Sequence, residues 1–518
     1  MHDSLPIRPE ALFILYQLQK AGYEAAIVGG AVRDTLGEAG LSEQTDYDFA
    51  TNATPEETQA LFPESFCEND FGTVSIAREH LLTQMGCDPK QVIEQSDEPT
   101  RAFAVDQATK LHASLSTEKP DETERVSPKK QLLFEITTYR SQEKYSNFRQ
   151  PESLSWGTTL SEDLTRRDFT INALALIVDQ TFLASLEHKW FATTSDAAAL
   201  FQTVPSSAFT IIDEHAGLHD LAETVIRTVG DPTGRFTEDA LRMLRAIRFS
   251  VQLNMHIDPA TFEAITQHVE LSAHISAERV RDELLKMLAS PFPKEAILLL
   301  DETGLLRWIL PELLSAKGVV QGGHHTTDVW VHSLDALESC PSKDPIVRLA
   351  TLLHDIGKPS TFALAGGKPT FYNHEIVGAR IAKNIARRLA LSRKDIDRIF
   401  LLVRHHMFYY QPENTDAAIR RFMKKVGIEN LDDILALREG DRLGSGARKT
   451  SWRLEEMKQR MQEQLHQPMD LHDLALNGTD LMQDLSLRPG PQIGKTLDYL
   501  FELVLDDPDL NKKDLLLE

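Results

Sequence analysis

The chain has 518 residues, of which 42% are hydrophobic, and its formal net charge at pH 7 is -23. A chain of this length and composition is expected to fold as several domains with buried cores. The acidic balance argues against a protein that coats nucleic acid through its whole surface, because non-specific phosphate binding needs a basic surface. Any RNA contact is therefore expected to be local.

The N-terminal residues carry neither of the usual membrane or export signals. No apolar run reaches the roughly 18 residues that span a bilayer. Residues 1–6 also lack the basic region that leads into a signal peptide. We therefore expect a cytoplasmic protein with no membrane partner.

A glycine turn follows the first apolar strand. The pattern predicts a helix over Pro9–Lys20 and a strand over residues 24–28, which ends at Gly29-Gly30. Glycine at such a turn lets backbone N–H groups approach a phosphate. Gly29 and Gly30, followed by Arg33 and Asp34, therefore predict a phosphate-binding turn.

Two aspartates follow at a spacing that places them on one face of a strand. Asp46 and Asp48 would point the same way, while Tyr47 and Phe49 would point into the opposite layer. Like charges side by side repel unless a cation lies between them. Mg²⁺ accepts carboxylate and phosphate oxygens, so the pair predicts a metal-bound triphosphate site. The alternative is a solvated acidic pair at a turn.

The following segments change from strands to helices. Residues 71–77 and 132–139 alternate and are rich in β-branched residues, which predicts paired antiparallel strands. Between them, residues 79–131 form a polar insertion, which we expect to be helical near residues 100–115, otherwise flexible, and without a catalytic role. From about Thr181 onward the apolar spacing is helical almost everywhere.

Arginines dominate the next two motifs. Arg166-Arg167-Asp168 precedes the stretch that contains Asn172, and an arginine fork can donate several hydrogen bonds to a triphosphate. The alternative is a salt-bridged helix end.

The second arginine motif lies in a predicted helix over residues 238–251. There Asp239 and Arg242 would share one face, with Arg245 and Arg248 continuing the row. Asp239 could accept from an exocyclic amine and Arg242 could donate to a ring, which would imitate a Watson–Crick edge offered to cytosine or adenine. Arg245 and Arg248 would lie along the phosphates or, alternatively, cover their own helix.

Histidines and aspartates gather in the second half of the chain. An adjacent histidine and aspartate on a helix, with further histidines on flanking helices, can hold a divalent metal that activates water on a phosphate. The candidate ligands are His332, His354, Asp355, His374, His405 and Asp441. The motif His354-Asp-Ile-Gly-Lys358 resembles that of HD phosphohydrolase domains, which implies phosphatase or 2′,3′-cyclic phosphodiesterase activity. The identity of the metal stays open, because these ligands suit Mg²⁺, Mn²⁺, Ni²⁺ and Co²⁺.

Taken in order, the four earlier motifs resemble the class II tRNA nucleotidyltransferase and poly(A) polymerase family. They read Gly-Gly-x-Val-Arg-Asp, Asp-x-Asp, Arg-Arg-Asp-Phe-Thr-Ile-Asn-Ala and Glu-Asp-x-Leu-Arg-Met-Leu-Arg-Ala-Ile-Arg-Phe. The resemblance implies an α+β fold, in which a polymerase-β-like nucleotidyltransferase head with an antiparallel or mixed sheet precedes an all-α neck, an HD body and a tail. We place these at residues 1–180, 181–310, 311–450 and 451–518.

The resemblance also implies roles for the motif residues. Asp46 and Asp48 would be catalytic and bind two Mg²⁺ ions, and Glu135, on a strand beside Asp48, is a candidate third carboxylate. CTP or ATP would be selected by Asp239 and Arg242 without a template. The expected nucleotide-binding residues are Gly29, Gly30, Arg33, Asp34, Arg167, Asp168, Asn172, Asp239, Arg242, Arg245 and Arg248.

Several products and partners stay open at this point. Poly(A) polymerases of the family tend to carry basic extensions, so the acidic chain favours tRNA as the partner. The segment over residues 145–163 resembles a flexible loop that CC-only enzymes lack, which leaves full CCA addition or A addition. An alternative function of another class is that of an HD phosphohydrolase whose nucleotidyltransferase-like head only senses nucleotides or binds RNA. The oligomeric state is not indicated by the sequence.

Local basic groups would supply the RNA contacts. The candidates are the islands at residues 420–425 and 448–449, together with Lys495 in the tail. For Lys495 the alternative is packing between domains.

Overall fold

The computed structural model describes most of the chain in two compact units, Met1–His274 and Ile275–Glu518. The described residues are 3–37, 45–67, 72–90, 92, 132–140, 145–146, 150–151, 157–187, 201–322, 327–408, 410–447, 451–485 and 487–518. None of the helices in this described part of the chain combines the length and apolar character that a bilayer crossing requires.

The first unit is built on a mixed sheet of seven strands in the order β11-β9-β2-β3-β6-β5-β4. The pair β3·β6 is parallel and the other neighbours are antiparallel. These strands are β2 Ala25–Val28, β3 Tyr47–Thr51, β4 Phe66–Cys67, β5 Thr73–Ala77, β6 Leu133–Thr138, β9 Leu174–Val178 and β11 Phe209–Asp213. Short pairs outside this sheet are β1 Ser4–Ile7 with β10 Gln202–Pro205, β7 Tyr145–Ser146 with β8 Gln150–Pro151, and β12 Val225–Ile226 with β13 His256–Ile257.

One apolar face of the sheet packs into the core of the first unit. Ile27, Phe49 and Phe134 from three neighbouring strands are buried together with Leu12 and Leu15 of the first helix. The helices of this unit are Pro9–Lys20, Gly30–Leu36, Pro55–Leu61, Arg78–Gln84, Leu160–Thr165, Gln180–Ser185, Gly217–Ala222, Pro232–Glu238, Leu241–Leu253 and Pro259–Gln267. Burial of the odd-numbered residues of β3 leaves Asp48 on the opposite face.

The predicted N-terminal elements are confirmed. The helix spans Pro9–Lys20, the strand ends at Val28, and β5 pairs with β6 in an antiparallel register. The start of the predicted polar insertion is different, because residues 78–84 form a helix whose Leu81 and Leu82 are buried. Residues 93–131 lie outside the described part of the chain.

The expectation of an almost wholly helical chain after Thr181 is wrong over residues 202–213. Two strands, β10 and β11, occur there, and β11 joins the large sheet beside β9. Edge position explains the weak sequence signal, because none of the five residues of β11 is fully buried, so apolar alternation is not required there.

Within its described residues, the second unit is helical apart from the hairpin of β14 Ala363–Ala365 with β15 Lys368–Thr370. Its helices are Ala277–Ala289, Pro293–Glu302, Leu306–Ile309, Val329–Ser339, Pro345–Leu353, Lys358–Thr361, His374–Arg388, Arg393–His405, Asp416–Val426, Leu431–Gly444, Trp452–Gln464, Gly478–Asp484, Pro491–Asp506 and Lys513–Leu517.

Glycines let two pairs of segments approach closely in this unit. A Cβ atom on Gly440 would stand 2.6 Å from the carbonyl oxygen of Ala336, and one on Gly444 would stand 2.5 Å from the nitrogen of Ala336. A Cβ atom on Gly357 would stand 2.2 Å from the carbonyl oxygen of His374. Such distances exclude any side chain, so these glycines bring the histidine- and aspartate-bearing segments together.

Candidate active sites

Carboxylates from adjacent strands gather on the face of the first unit's sheet that lies opposite its main core. Asp48 lies in β3 in register with Glu135 of the parallel strand β6, and both side chains are half-buried. Register neighbours in a sheet project to the same face. Asp46 is exposed and immediately precedes β3. The predicted position of Glu135 on a strand beside Asp48 is therefore confirmed.

The environment of Asp48 favours a bound cation. Burial raises the pKa of its carboxyl to about 6, with Arg167 opposing this shift, Asp46 adding to it and Arg245 opposing it. A desolvated carboxylate next to another carboxylate is stabilised by a nearby positive ion. Oxygen donors of this kind suit a hard divalent cation, so the residues present fit the expected Mg²⁺.

The predicted glycine turn lies against this carboxylate. Gly29 has a φ of +73°, and a Cβ atom there would stand 3.1 Å from Nη1 of Arg167 and 3.3 Å from Oδ2 of Asp48. Glycine therefore meets two requirements at this position, the backbone conformation and the space between two charged side chains. The helix Gly30–Leu36 begins at the next residue, as the strand–turn–helix pattern predicts.

The paired arginines share one buried aspartate. Nη2 of Arg166 lies 2.9 Å from Oδ1 of Asp163, and Nη2 of Arg167 lies 3.0 Å from Oδ2. Burial acts to raise the pKa of Asp163, but Arg167 and Arg166 outweigh it and hold that pKa below its usual value. Asp163 thus orients Arg167, whose side chain stays partly exposed beside Gly29 and Asp48.

A chain of hydrogen bonds connects the other predicted phosphate-binding residues. Nη1 of Arg33 donates to Oδ1 of Asn172 at 2.7 Å, and Nδ2 of Asn172 donates to Oδ1 of Asp168 at 3.3 Å. Nε of Arg245 donates to Oδ2 of Asp168 at 2.6 Å. Arg33 also pairs with Asp34 through Nη2 and Oδ1 at 2.7 Å. The buried Asp168 therefore holds Arg245 directly and is connected to Arg33 through Asn172.

The expected single helix over residues 238–251 is interrupted at Asp239, so the predicted helical i, i+3 relationship with Arg242 is wrong. One helix ends at Glu238 and the next begins at Leu241, while Asp239 is extended with a φ of −145°. Its Oδ1 accepts from the backbone N–H of Leu241 at 3.0 Å. The acidic side chain thus bonds the backbone at the start of the next helix, which a helical pattern does not reveal.

Arg242 and Arg248, both in the helix Leu241–Leu253, have different surroundings. Nη2 of Arg242 donates to the backbone oxygen of Arg166 at 3.1 Å, and Nη1 pairs with Glu238. Arg242 therefore lies beside the Arg166-Arg167 turn. Arg248 is buried, with its guanidinium 4.1 Å from the ring centroid of Phe249, so Arg248 covers its own helix.

The second unit contains a buried cluster of histidines and aspartates. One group consists of His332, His354 and Asp441, and a second consists of Asp355, His374 and His406. All six side chains are buried, and the candidate ligand atoms within each group lie within 4.8 Å of one another. We call these six residues the HD cluster.

Asp355 connects the two groups of the HD cluster. Its Oδ2 lies 3.2 Å from Nε2 of His354 and 3.4 Å from Nε2 of His332. Its Oδ1 lies 3.4 Å from Nε2 of His374 and 3.6 Å from Nε2 of His406. One carboxylate therefore presents a different oxygen to each group.

The electrostatics and unmet hydrogen bonds of the HD cluster fit a divalent metal. Burial acts to lower the pKa of His354, but Asp355 and Asp441 raise it to about 10. Within the described residues, the buried Nε2 atoms of His374 and His406 make no hydrogen bond. Imidazole nitrogens and carboxylate oxygens in this arrangement are typical ligands of divalent metals.

Comparison with known proteins identifies the family. Residues 25–87 and 92–186 match the poly A polymerase head domain, and residues 254–317 match the probable RNA and SrmB-binding site of polymerase A. Residues 323–443 match the HD domain. The A-adding tRNA nucleotidyltransferase of Deinococcus radiodurans is 34% identical over 365 residues, which cover 66% of this chain and 75% of that protein. The chain belongs to the tRNA nucleotidyltransferase and poly(A) polymerase family.

Other members of this family extend the comparison. The CCA-adding enzyme of Bacillus velezensis is 32% identical over 64% of this chain and 61% of its own length. The crystal structure of the Bacillus stearothermophilus CCA-adding enzyme in complex with CTP has a TM-score of 0.61 and 25% identity, and it covers 98% of this chain and 96% of that one. The protein is a nucleotidyltransferase with an α+β fold, in which a polymerase-β-like head precedes helical regions and an HD domain.

One predicted metal ligand in this nucleotidyltransferase is wrong. His405 lies outside the HD cluster, and its neighbour His406 takes the expected place. Burial, with Lys425 and Arg404, lowers the pKa of His405 to about 4. The signal for His406 was in the apolar spacing, because His406 follows the buried residues Ile399, Leu402 and Val403 at helical intervals.

Two further residues contact the HD cluster and were not predicted as site residues. Nζ of Lys358 lies 2.6 Å from Oδ2 of Asp355 and donates to Oε1 of Gln321 at 2.6 Å. Nη1 of Arg438 lies 2.6 Å from Oδ2 of Asp441. Both cations stand three residues from the aspartate they contact, and this spacing was the available signal.

The predicted RNA-binding islands are only partly described. Arg420 is buried and donates to the backbone oxygen of Leu505 at 2.9 Å, so within this island its side chain is bonded to the protein backbone. Arg421 and Lys424 both pair with Glu502. Lys495 is exposed. Residues 448–449, and residues 147–149 and 152–156 of the predicted loop over residues 145–163, lie outside the described part of the chain.

Proposed function

We propose that this nucleotidyltransferase adds CCA to the 3′ ends of tRNA from CTP and ATP without a nucleic-acid template, in the cytoplasm. The observation that carries the proposal is the position of Asp48, which lies in register with Glu135 and is separated from Arg167 by the side-chain-free Gly29. The Bacillus velezensis relative, named as a CCA-adding enzyme, supports the choice of product, and the Deinococcus radiodurans relative, named as an A-adding tRNA nucleotidyltransferase, supports the choice of tRNA.

The proposed reaction forms a bond between the primer 3′-hydroxyl oxygen and the α-phosphorus of the incoming nucleotide, and pyrophosphate leaves. Mg²⁺ held by Asp46 and Asp48 would lower the pKa of the hydroxyl and neutralise the leaving group. Arg167, oriented by Asp163, donates hydrogen bonds to the triphosphate. Gly29 allows the phosphates to approach the backbone.

Nucleotide selection is assigned to Asp239 and Arg242. Asp239 supplies an acceptor for the exocyclic amine that cytosine and adenine share, and Arg242 supplies a donor. Glu238 and the backbone oxygen of Arg166 hold Arg242 in place. Guanine and uracil present the reverse pattern at this edge, so GTP and UTP would leave both protein groups unpaired.

A-only addition is the alternative product, and the name of the Deinococcus radiodurans relative favours it. The two are separated by offering purified protein three RNAs with CTP, ATP and Mg²⁺: tRNA that ends at the discriminator base, the same tRNA ending in CC, and an unstructured oligonucleotide. CCA addition requires extension of both tRNAs and none of the oligonucleotide. Extension of the CC-ending tRNA alone would establish A addition, and long tails on the oligonucleotide would establish a poly(A) polymerase.

We propose a second activity, metal-dependent phosphohydrolysis at the HD cluster. The specific observation is that the buried Nε2 atoms of His374 and His406 face Oδ1 of Asp355 without a hydrogen bond. A divalent metal held by the HD cluster would supply an activated water. The substrates proposed are phosphate esters of nucleotides or of RNA ends.

The test of this second activity uses His354→Ala and Asp355→Ala. Both variants should lose hydrolysis of 3′-AMP and of 2′,3′-cyclic AMP, assayed with Mg²⁺, Mn²⁺, Ni²⁺ and Co²⁺ in turn, while nucleotide addition continues. Hydrolysis that persists in either variant would refute the assignment to the HD cluster.

A further inference from the structure

A cavity of about 240 Å³ lies in the second unit next to the HD cluster. Its wall combines two kinds of side chain that recognise nucleotides together. The aromatic members are Phe408, Tyr410 and Trp452, and the cationic members are Arg438, Arg442 and Arg453. Among the described residues that line it, three are arginines and none is acidic, although Arg438 is itself paired with Asp441.

Arg438 connects the cavity to the HD cluster. Its Nη1 atom lies 2.6 Å from Oδ2 of Asp441, and Oδ1 of Asp441 lies 3.2 Å from Nε2 of His332. The guanidinium carbon of Arg438 also lies 5.7 Å from the ring centroid of Phe408, on the cavity wall. A phosphate that contacts Arg438 is therefore adjacent to a candidate metal ligand.

The aromatic part of the wall includes one well-exposed ring. Trp452 is 61% exposed, although a large apolar side chain is usually covered. The neighbouring Arg453 places its guanidinium carbon 5.3 Å from the Trp452 ring centroid. Tyr410 is buried, and Nη1 of Arg460 donates to its hydroxyl at 3.1 Å. The wall thus pairs a rigid tyrosine with an open tryptophan.

We propose that this cavity binds a nucleoside phosphate, with the base stacked on Trp452 and the phosphate against Arg438, Arg442 and Arg453. Aromatic faces stack any base, and arginine forks donate to phosphate oxygens, so the wall suits nucleotides of several bases. The cavity is smaller than the roughly 300–1,000 Å³ of sites for drug-sized ligands, which fits one nucleotide with its base partly exposed. The ligand is a free nucleotide or the 3′-terminal nucleotide of an RNA.

This inference rests on the proposed phosphohydrolase function, because it gives the HD cluster its substrate pocket. It explains why Arg438 touches a metal-ligand candidate on one side and an aromatic ring on the other. Stacking at Trp452 positions the nucleotide, and the arginines hold its ester phosphate beside the HD cluster.

The test measures binding to full-length protein by calorimetry in EDTA, so that no hydrolysis occurs. The probes are 3′-AMP and a short RNA that ends in a 3′-phosphate, and their relative affinities identify the natural source of the nucleotide. Trp452→Ala and Arg453→Ala should each weaken binding of the tighter probe about tenfold. Both residues are exposed, so the variants should fold.

Matched controls come from another exposed pair in the same unit. Arg307 and Trp308 are adjacent and exposed but do not line the cavity, so Arg307→Ala and Trp308→Ala should bind as the wild-type protein does. Equal affinity in the cavity variants and these controls, or no binding by the wild-type protein, would overturn the proposal. If the wild-type protein hydrolyses 3′-AMP but the cavity variants bind it normally, the cavity is not the binding site, and the proposed hydrolysis at the HD cluster is unaffected. If the cavity variants lose binding but the wild-type protein hydrolyses nothing, the cavity binds nucleotides and the proposed hydrolysis is wrong.

Discussion

Nη1 of Arg167 lies 3.1 Å from the position that a Cβ atom on Gly29 would occupy. Gly29→Ala should therefore displace Arg167 and Asp48 by a few tenths of an ångström and reduce the rate of nucleotide addition about tenfold, since a displacement of about 1 Å would cost about 100-fold. The measurement is single-turnover extension of tRNA with CTP and Mg²⁺.

Gly22→Ala is the matched control for this substitution. Gly22 also has a positive φ, +92°, but a Cβ atom there would meet nothing within 4 Å. Both variants should lose stability by about 1–3 kcal/mol from the backbone conformation. Only the Gly29 variant should lose activity, and equal activities would contradict the account of the turn.

Arg167→Lys should raise KM for CTP and ATP about tenfold, because a lysine cannot both pair with Asp163 and donate a fork to phosphate. Arg166→Lys is its natural control, since Arg166 pairs with the other oxygen of the same aspartate. The two variants should unfold at similar denaturant concentrations. A rise in KM of equal size in both would show that Asp163, and not the triphosphate, is the relevant partner of Arg167.

Asp239→Ala should relax nucleotide choice, so that GTP and UTP are incorporated into tRNA at a measurable fraction of the CTP rate. Asp239 and Asp231 both accept from a backbone N–H near a helix start, at Leu241 and Gly234 respectively. Asp231→Ala should therefore cost similar stability, about 1 kcal/mol, with nucleotide choice unchanged. If both variants stay selective, residues other than Asp239 select the nucleotide.

His406→Ala should lower the metal content of the purified protein, measured by plasma mass spectrometry after dialysis against buffers containing Ni²⁺, Mn²⁺ or Co²⁺. His406 belongs to the HD cluster, whereas the adjacent His405 does not. His405→Ala should keep the wild-type metal content. The opposite pattern would restore His405 as the ligand.

The adjacent histidines show what the sequence could and could not predict. The motif around His354-Asp355 was sufficient to predict a cluster with His332, His374 and Asp441. Choosing between His405 and His406 depended on the rotation of one helix, about 100° per residue. That rotation is set by the buried row Ile399, Leu402 and Val403, which a motif search ignores.

In the first unit, the sequence predicted most of the strands better than it predicted the segments that connect the elements. Asp48, Gly29 and Glu135 lie where alternation and turn chemistry predict, because each occupies a regular strand or its end. The position of Asp239 was predicted wrongly because its carboxylate accepts a hydrogen bond from the backbone N–H of Leu241. This local bond favours an extended residue between two helices over one continuous helix. β11 was missed because an incompletely buried edge strand needs no strict apolar alternation.

The sequence of the tail added to tRNA that ends at the discriminator base is the most direct test of CCA addition. With CTP, ATP and Mg²⁺ supplied together, we expect sequencing of the product ends to find C, C and A in that order and then no further addition. Asp48→Asn should add nothing under the same conditions. A tail of adenosines alone, a tail that continues past the third nucleotide, or addition by the Asp48→Asn protein would contradict it.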